Sequence, residues 1–264
     1  MTDYVLAHAG DERERERLTL LERFHGPLTV AQLEPLVRPG WSCLEAGAGA
    51  GGMTVWLAER VTPGGSVLAV DLETHWLDHL RSAVIDVRTL DITTEKLPSN
   101  AFDLVLARML LLHLPDPAAA CRQLLATARS DATVVVQDAD FTAVALDDAS
   151  ALEAEGLRTM TDTMRTSGVD LALGPKLPAM LDAAGADVVT VHSSPSPGHG
   201  NGLAARIVAI TIERFRPRAI SNGTKSAAID AAISALRDPN RSFTGPTQWI
   251  VRARPMNRRT RSRL

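Results

Sequence analysis

Glu45, Asp71, Asp91, His113 and Asp138 are the side chains whose types and places suit binding and turnover of a small charged ligand. Glu45 stands in the run Leu44-Glu45-Ala46-Gly47-Ala48-Gly49-Ala50-Gly51-Gly52. Glycines at such a joint let the backbone turn tightly and bring its N–H groups close to a ligand beneath a helix N-terminus. Gly47, Gly49 and Gly52 satisfy the dinucleotide pattern G-x-G-x-x-G. Asp71 follows about twenty residues later, where a carboxylate binds two ribose hydroxyls. Glu45 would repel a pyrophosphate but attract a cationic amino-acid ligand. Asp91 closes the next strand and is placed to accept from an exocyclic amine. Three carboxylates at successive strand ends surround a positively charged adenosyl ligand better than a diphosphate. His113 suits a general base, because imidazole titrates near working pH. Its alternative role is to fix its loop through a backbone hydrogen bond. Asp138, in Gln137-Asp138-Ala139-Asp140-Phe141, either faces an acceptor or caps the following turn.

The elements that must hold these groups are legible as hydrophobic runs. Asp11–His25 reads as a helix that Gly26-Pro27 breaks, with Thr29 capping a second helix ended by Pro39-Gly40. Short apolar runs at Ser42–Ala46, Ser66–Val70, Val84–Leu90, Phe102–Ala107 and Ala132–Val136 read as buried strands. Helices near Gly52–Val61, Glu73–Ser82 and Pro117–Ala128 alternate with them, which implies a parallel sheet with right-handed crossovers. Further on, Ala149–Thr166, Lys176–Ala184, Leu203–Phe215 and Ala227–Leu236 read as helices. Ala186–His192 and Pro246–Ala253 read as strands, and Gly198–Gly202 as a loop.

CLEAGAGAGG, SVLAVD and LDITTEKLPSNAFDLVLARMLLLHLPDP, in that order, resemble the core of class I S-adenosylmethionine-dependent methyltransferases, most closely the actinobacterial-type small-molecule enzymes. The resemblance covers residues 4 to 141 and only the general layout beyond. It implies an α/β, Rossmann-like seven-stranded sheet whose last strand is antiparallel, with N-terminal helices and a helical lid insertion. The chain then divides into an N-terminal helical lid (1–40), a cofactor-binding core (41–145) and an acceptor region with the last two strands (146–264). The resemblance also implies the site. Glu45, Gly47, Gly49 and Gly51 would shape the methionine pocket. Asp71 would bind the ribose, and Leu72 would pack on the adenine. Asp91 would take the adenine amine, with Ile92 adding backbone contacts. Arg108 would line the cofactor and acceptor pocket, and Tyr4 with Arg17 would fold over the cofactor. Gln137-Asp138 departs from the family's Glu-Asp, which disfavours a metal-dependent mechanism.

Composition is that of an ordinary globular protein, with 45% hydrophobic and 22% charged residues. No apolar run approaches the roughly 20 residues of a membrane helix. No secretory pattern opens the chain, and Cys43 and Cys121 cannot form a disulfide framework, so a cytoplasmic setting is expected. No metal is expected, since His75, His79, His192 and His199 have no ligand spacing to nearby cysteines and the i, i+4 pair His75 and His79 lacks a third ligand. The net charge of −3 hides six arginines after residue 250, which leave the rest of the chain at −9. Such a body repels phosphates, and the tail lacks stacking aromatics, so nucleic acid is not the expected partner. A small-molecule acceptor is, with a homo-oligomer left open. A competing reading, an NAD(P)-dependent oxidoreductase, gives Glu45 and Asp91 no role and lacks a Tyr-x-x-x-Lys pair after the fifth strand. A third is a methyltransferase-like protein that uses the cofactor without methylating.

Overall fold

The computed structural model describes residues 11–256. Helix α1, Glu12–Leu33, starts where the Asp11 carboxylate accepts from the Arg13 N–H. It runs straight through Gly26 and Pro27, where the sequence predicts a break. The reason is tertiary. Thr29, expected to cap a new helix, instead has its hydroxyl oxygen 3.1 Å from the His25 carbonyl and within hydrogen-bond reach of the Gln137 side chain of the sheet, between which its one proton is shared. His25 is itself 3.1 Å from Gln248. The two halves of the helix are thus fixed to the same buried groups on either side of the proline.

The sheet core follows the expected alternation: β1 Ser42–Ala46, α2 Gly52–Val61, β2 Ser66–Asp71, β3 Ile85–Thr89, β4 Phe102–Arg108, α3 Pro117–Thr127 and β5 Ala128–Asp140. The helix expected over Glu73–Ser82 is absent, and only a 3-10 turn forms at Asp78–Leu80. Its polar groups find other partners. Glu73 N–H donates to Asp71, and Thr74 bonds Thr89 across to β3. The second half supplies β6 Ala145–Leu146, α4 Ala151–Thr166, α5 Leu177–Ala183, β7 Ala186–His199, α6 Leu203–Ser221, α7 Ser226–Arg237 and β8 Ser242–Pro255.

Strand order is β3-β2-β1-β4-β5-β8, with β7 and the two-residue β6 both paired to β8. β1 to β5 run parallel, whereas β8 is antiparallel to β5 and to β7. The expected Rossmann-like sheet with an antiparallel last strand is present, and β6 is a small addition to it. β7 extends through Pro195 and Pro197, beyond the expected end at His192 and into the expected loop. It lies against β8 alone, and an edge strand tolerates proline because one row of its N–H groups needs no partner.

Apolar side chains fill both faces. Leu33, Met53, Leu57, Leu104, Leu106 and Val135 form the core under α1 and α2. Leu44, Val105, Leu124, Val134, Val136 and Leu177 belong to the larger core on the other face. The strand order reverses between β1 and β4, the place where open α/β sheets bind ligands beyond the carboxyl ends of their strands.

Candidate functional site

At that reversal a cavity of about 240 Å³ opens between the strand ends, α1, α4 and α6. Its floor is the glycine loop. Gly47, Gly49 and Gly51 have φ of +75°, +57° and +83°, backbone that side chains with a Cβ rarely adopt. Gly49 N–H donates to Asp71 Oδ2 at 2.8 Å, so the loop is tied to the end of β2. Burial raises the Asp71 carboxyl above its ordinary value, and the N–H groups of Gly49 and Glu73 oppose that shift. Asp91 is held below its ordinary value by hydrogen bonds from the Thr93 hydroxyl and N–H.

Of the residues expected from the sequence, Arg17, Gly47, Gly49, Asp71, Leu72, Asp91, Ile92, Arg108 and His113 line the cavity. Three others do not. Glu45 is buried behind the wall, where its Oε2 accepts from the Thr54 hydroxyl at 2.6 Å. Gly51 is the N-cap of α2, and a Cβ there would lie 2.9 Å from Leu77 Cδ2. Asp138 sits beneath the turn Leu111–His113, accepting from the Leu112 N–H at 3.2 Å. It supports the loop that carries His113 instead of facing the cavity. Tyr4 lies outside the described residues.

Glu22, Phe24, His25 and Phe141 are among the cavity residues that escaped the sequence reading. The α1 residues Glu14, Arg17, Leu18, Leu21, Glu22 and His25 line one side of the cavity at spacings of three and four, the spacing of a single helix face. That stripe lies wholly within the helix expected over Asp11–His25, but its mixture of charged and apolar members gives no hydropathy signal of a cavity wall. Arg17 donates twice to Glu14, at 2.7 and 2.8 Å, in a buried pair. Arg214 of α6 reaches Asp11 at 2.6 Å and Glu14 at 3.5 Å, fastening α1 to α6 above the cavity. Gln137, the departure noted in the sequence, bonds Thr29, Gln248 and the His25 carbonyl. Its role is to bolt α1 to the sheet.

Arg108, at the end of β4, hydrogen-bonds Glu22 through Nη2 and lies 4.0 Å from Glu45. Its Nε and Nη1 are buried without a protein partner, as is Glu45 Oε1. A buried guanidinium edge with no partner is costly, and a ligand carboxylate would satisfy it. The amino-acid end of an S-adenosylmethionine molecule carries such a group, so the wall fits that cofactor.

Burial pushes Asp138 up to about 8 and Glu45 up to about 7, the latter against the pull of Arg108. Burial first and then Arg17 push His113 down to about 3, and burial with Arg108 does the same to His25. The raised acids stabilise the fold below their unfolded values and lose that contribution as pH rises through 7 and 8. The lowered histidines contribute above 6.5 and lose that contribution as pH falls toward 3. The two effects oppose each other below 6.5, and only the acids act above it. The melting temperature should therefore fall from pH 6.5 to pH 8.5, and Asp138→Asn should flatten that fall. Thermal melts at four pH values check this, and a flat wild-type profile over the interval contradicts it.

Residues 44–136 match the family model described as a methyltransferase domain. Among curated relatives, the chain is 28% identical over 106 residues to the phosphoethanolamine N-methyltransferase of Triticum aestivum, covering 39% of this chain and 21% of that one. It is 28% identical over 193 residues to an uncharacterized 37.1 kDa protein in transposon TN4556 of Streptomyces fradiae, covering 70% and 54%. The chain thus spans between a fifth and about half of the lengths of these relatives. Among solved structures, the YcgJ protein from Bacillus subtilis aligns with a TM-score of 0.60 at 16% identity, covering 88% of this chain and 100% of that one. Phosphoethanolamine N-methyltransferase 2 of Haemonchus contortus, crystallised with phosphomonomethylethanolamine and S-adenosylhomocysteine, aligns at 0.54 and 15%, covering 92% and 53%. These alignments share the sheet and its flanking helices. Residues 44–136 are thus a methyltransferase domain by their family model, on the Rossmann-like class I fold that these structures share.

Proposed function

We propose that the chain binds S-adenosylmethionine over the glycine loop and directs its methyl group to a small-molecule acceptor held between α4 and α6. The observation that carries this reading is the division of one cavity wall into two chemistries. Asp71, Asp91 and Arg108 stand at the strand ends, while Phe141, Met160, Met164, Val169, Ile207 and Val208 form an apolar side. Pockets of this kind take a ligand with an apolar body, and methionines adapt to its shape. When bound, the cofactor supplies an activated methyl on a sulfonium, so alignment and exclusion of water are the main tasks of the protein.

Asp71 orients the ribose through its hydroxyls, Asp91 and the Ile92 backbone hold the adenine edge, and Leu72 packs on the ring. Gly47 and Gly49 let the backbone approach. Arg17 with Glu14, on α1, covers the site together with α6. His113 stays neutral at working pH and accepts a hydrogen bond from the proton-bearing atom of the acceptor, while Asp138 holds its loop. The three-part division at residues 40 and 145 follows these tasks. An intermediate of secondary metabolism is the acceptor class that suits the apolar wall. Among the described residues no helix is long and apolar enough to cross a membrane. The cytoplasmic setting belongs to the same proposal.

Calorimetric titration with S-adenosylmethionine, S-adenosylhomocysteine and NADH tests the reading. Binding of both adenosyl ligands with no heat from NADH is expected. NADH binding without them would replace this function with the oxidoreductase alternative.

A further inference from the structure

The methionine end of the cavity holds two carboxylates near one guanidinium, and the structure separates their roles. Glu22, from α1, is on the cavity wall, and its side chain is 25% exposed. Glu45, from the glycine motif, is off the wall and 1% exposed, with one oxygen taken by Thr54. Gly52, the first residue of α2, leaves room for the Glu22 stem: a Cβ there would fall 2.6 Å from Glu22 Cδ. Arg108 holds Glu22 through one nitrogen and keeps its buried Nε and Nη1 unmatched.

We propose that Glu22, and not Glu45, is the carboxylate that receives the ammonium group at the amino-acid end of the cofactor, beside Arg108, which receives its carboxylate. The proposal rests on the cofactor reading above. A zwitterion matches this pair, because each of its charges meets the opposite sign on one side chain that lines the cavity. Glu45 suits the task poorly, since its negative form is disfavoured by burial and further by the charge of Glu22. Glu45 instead backs Arg108 from behind the wall. The N-terminal helix then contributes charge to cofactor recognition as well as cover.

The test measures binding of S-adenosylhomocysteine and of 5′-methylthioadenosine, which shares the adenosyl group and sulfur but lacks the amino-acid end. Glu22→Gln keeps the shape and can still accept from Arg108. It should weaken S-adenosylhomocysteine binding about 10- to 50-fold and leave 5′-methylthioadenosine within about twofold, the range expected for one charge-assisted contact. Glu22→Asp, which keeps the charge but withdraws it by one methylene, should fall between wild type and Glu22→Gln. Glu45→Gln should weaken S-adenosylhomocysteine less than Glu22→Gln does. A loss below about fivefold in Glu22→Gln, an equal loss for both ligands, or a larger loss in Glu45→Gln overturns the proposal. Wild-type protein that binds neither ligand overturns the cofactor reading itself.

Discussion

Asp71→Ala should weaken S-adenosylmethionine and S-adenosylhomocysteine by on the order of 100-fold or more, the largest affinity loss expected from one substitution in this chain. Two hydrogen bonds from ribose hydroxyls to a carboxylate are each worth about 1.5–3 kcal/mol, and 1.4 kcal/mol is tenfold in affinity. The substitution also removes the acceptor of the Gly49 N–H at 2.8 Å and of the Glu73 N–H at 3.1 Å. The glycine loop then loses its tie to β2 and must be ordered by the ligand itself. Asp71→Asn separates the two contributions. Its amide oxygen serves one N–H while its NH2 group opposes the other, so loop order falls less than affinity does. Titration calorimetry gives the affinity, and hydrogen exchange at Gly47–Gly51 gives the loop order. A Kd within threefold of wild type for Asp71→Ala would show that the ribose lies elsewhere.

The largest stability loss is expected at Gly156, in the middle of α4. There α4 crosses α7 so closely that an added Cβ would lie 2.6 Å from the Ala228 carbonyl carbon and 2.7 Å from Ala232 Cβ. The obstacle is backbone, which cannot turn aside as a side-chain end can. Gly156→Val should therefore force the helices apart and cost about 3 kcal/mol or more, the upper range for overpacking. That corresponds to a fall of roughly 6–12 °C in melting temperature for a domain of this size. Met160 and Met164 follow on the same helix and face the cavity, so acceptor binding should suffer with the fold. Gly168→Ala is the control: its φ of +84° carries strain, but nothing lies within 4 Å of the new Cβ. It should cost about 1 kcal/mol. Equal melting temperatures for Gly156→Val and Gly168→Ala would refute the close crossing.

The pattern of apolar runs located β1, β2, β4 and the centre of β5, because buried parallel strands read as continuous hydrophobic segments. It missed where elements stop. β5 begins at Ala128 and ends at Asp140, eight residues beyond the apolar run taken together. Six of the eight added residues are polar, and Gln137 to Asp140 are held by the ladder with β8, which leaves no hydropathy signal. The helix predicted over Glu73–Ser82 failed for a related reason: the Glu73 N–H is taken by the Asp71 carboxylate and the Thr74 hydroxyl is tied to Thr89 of β3, contacts that leave no hydropathy signal.

The candidate site divides along the same line. Glycine spacing and carboxylates at strand ends mark Gly47, Gly49, Asp71 and Asp91 in the sequence by itself, because a strand end followed by a turn is a local feature. The alternation of strands and helices likewise determined the fold class. Only the tertiary structure decided that Glu45 lies behind the wall while Glu22, 23 residues earlier, lies on it. It also decided that Gln137 joins α1 to the sheet and that Asp138 supports the His113 turn. Each of these depends on which face of a strand or helix meets which neighbour. That is fixed by packing between segments far apart in the chain, 112 residues in the contact of Gln137 with His25 and 223 in that of His25 with Gln248, and no local spacing encodes it.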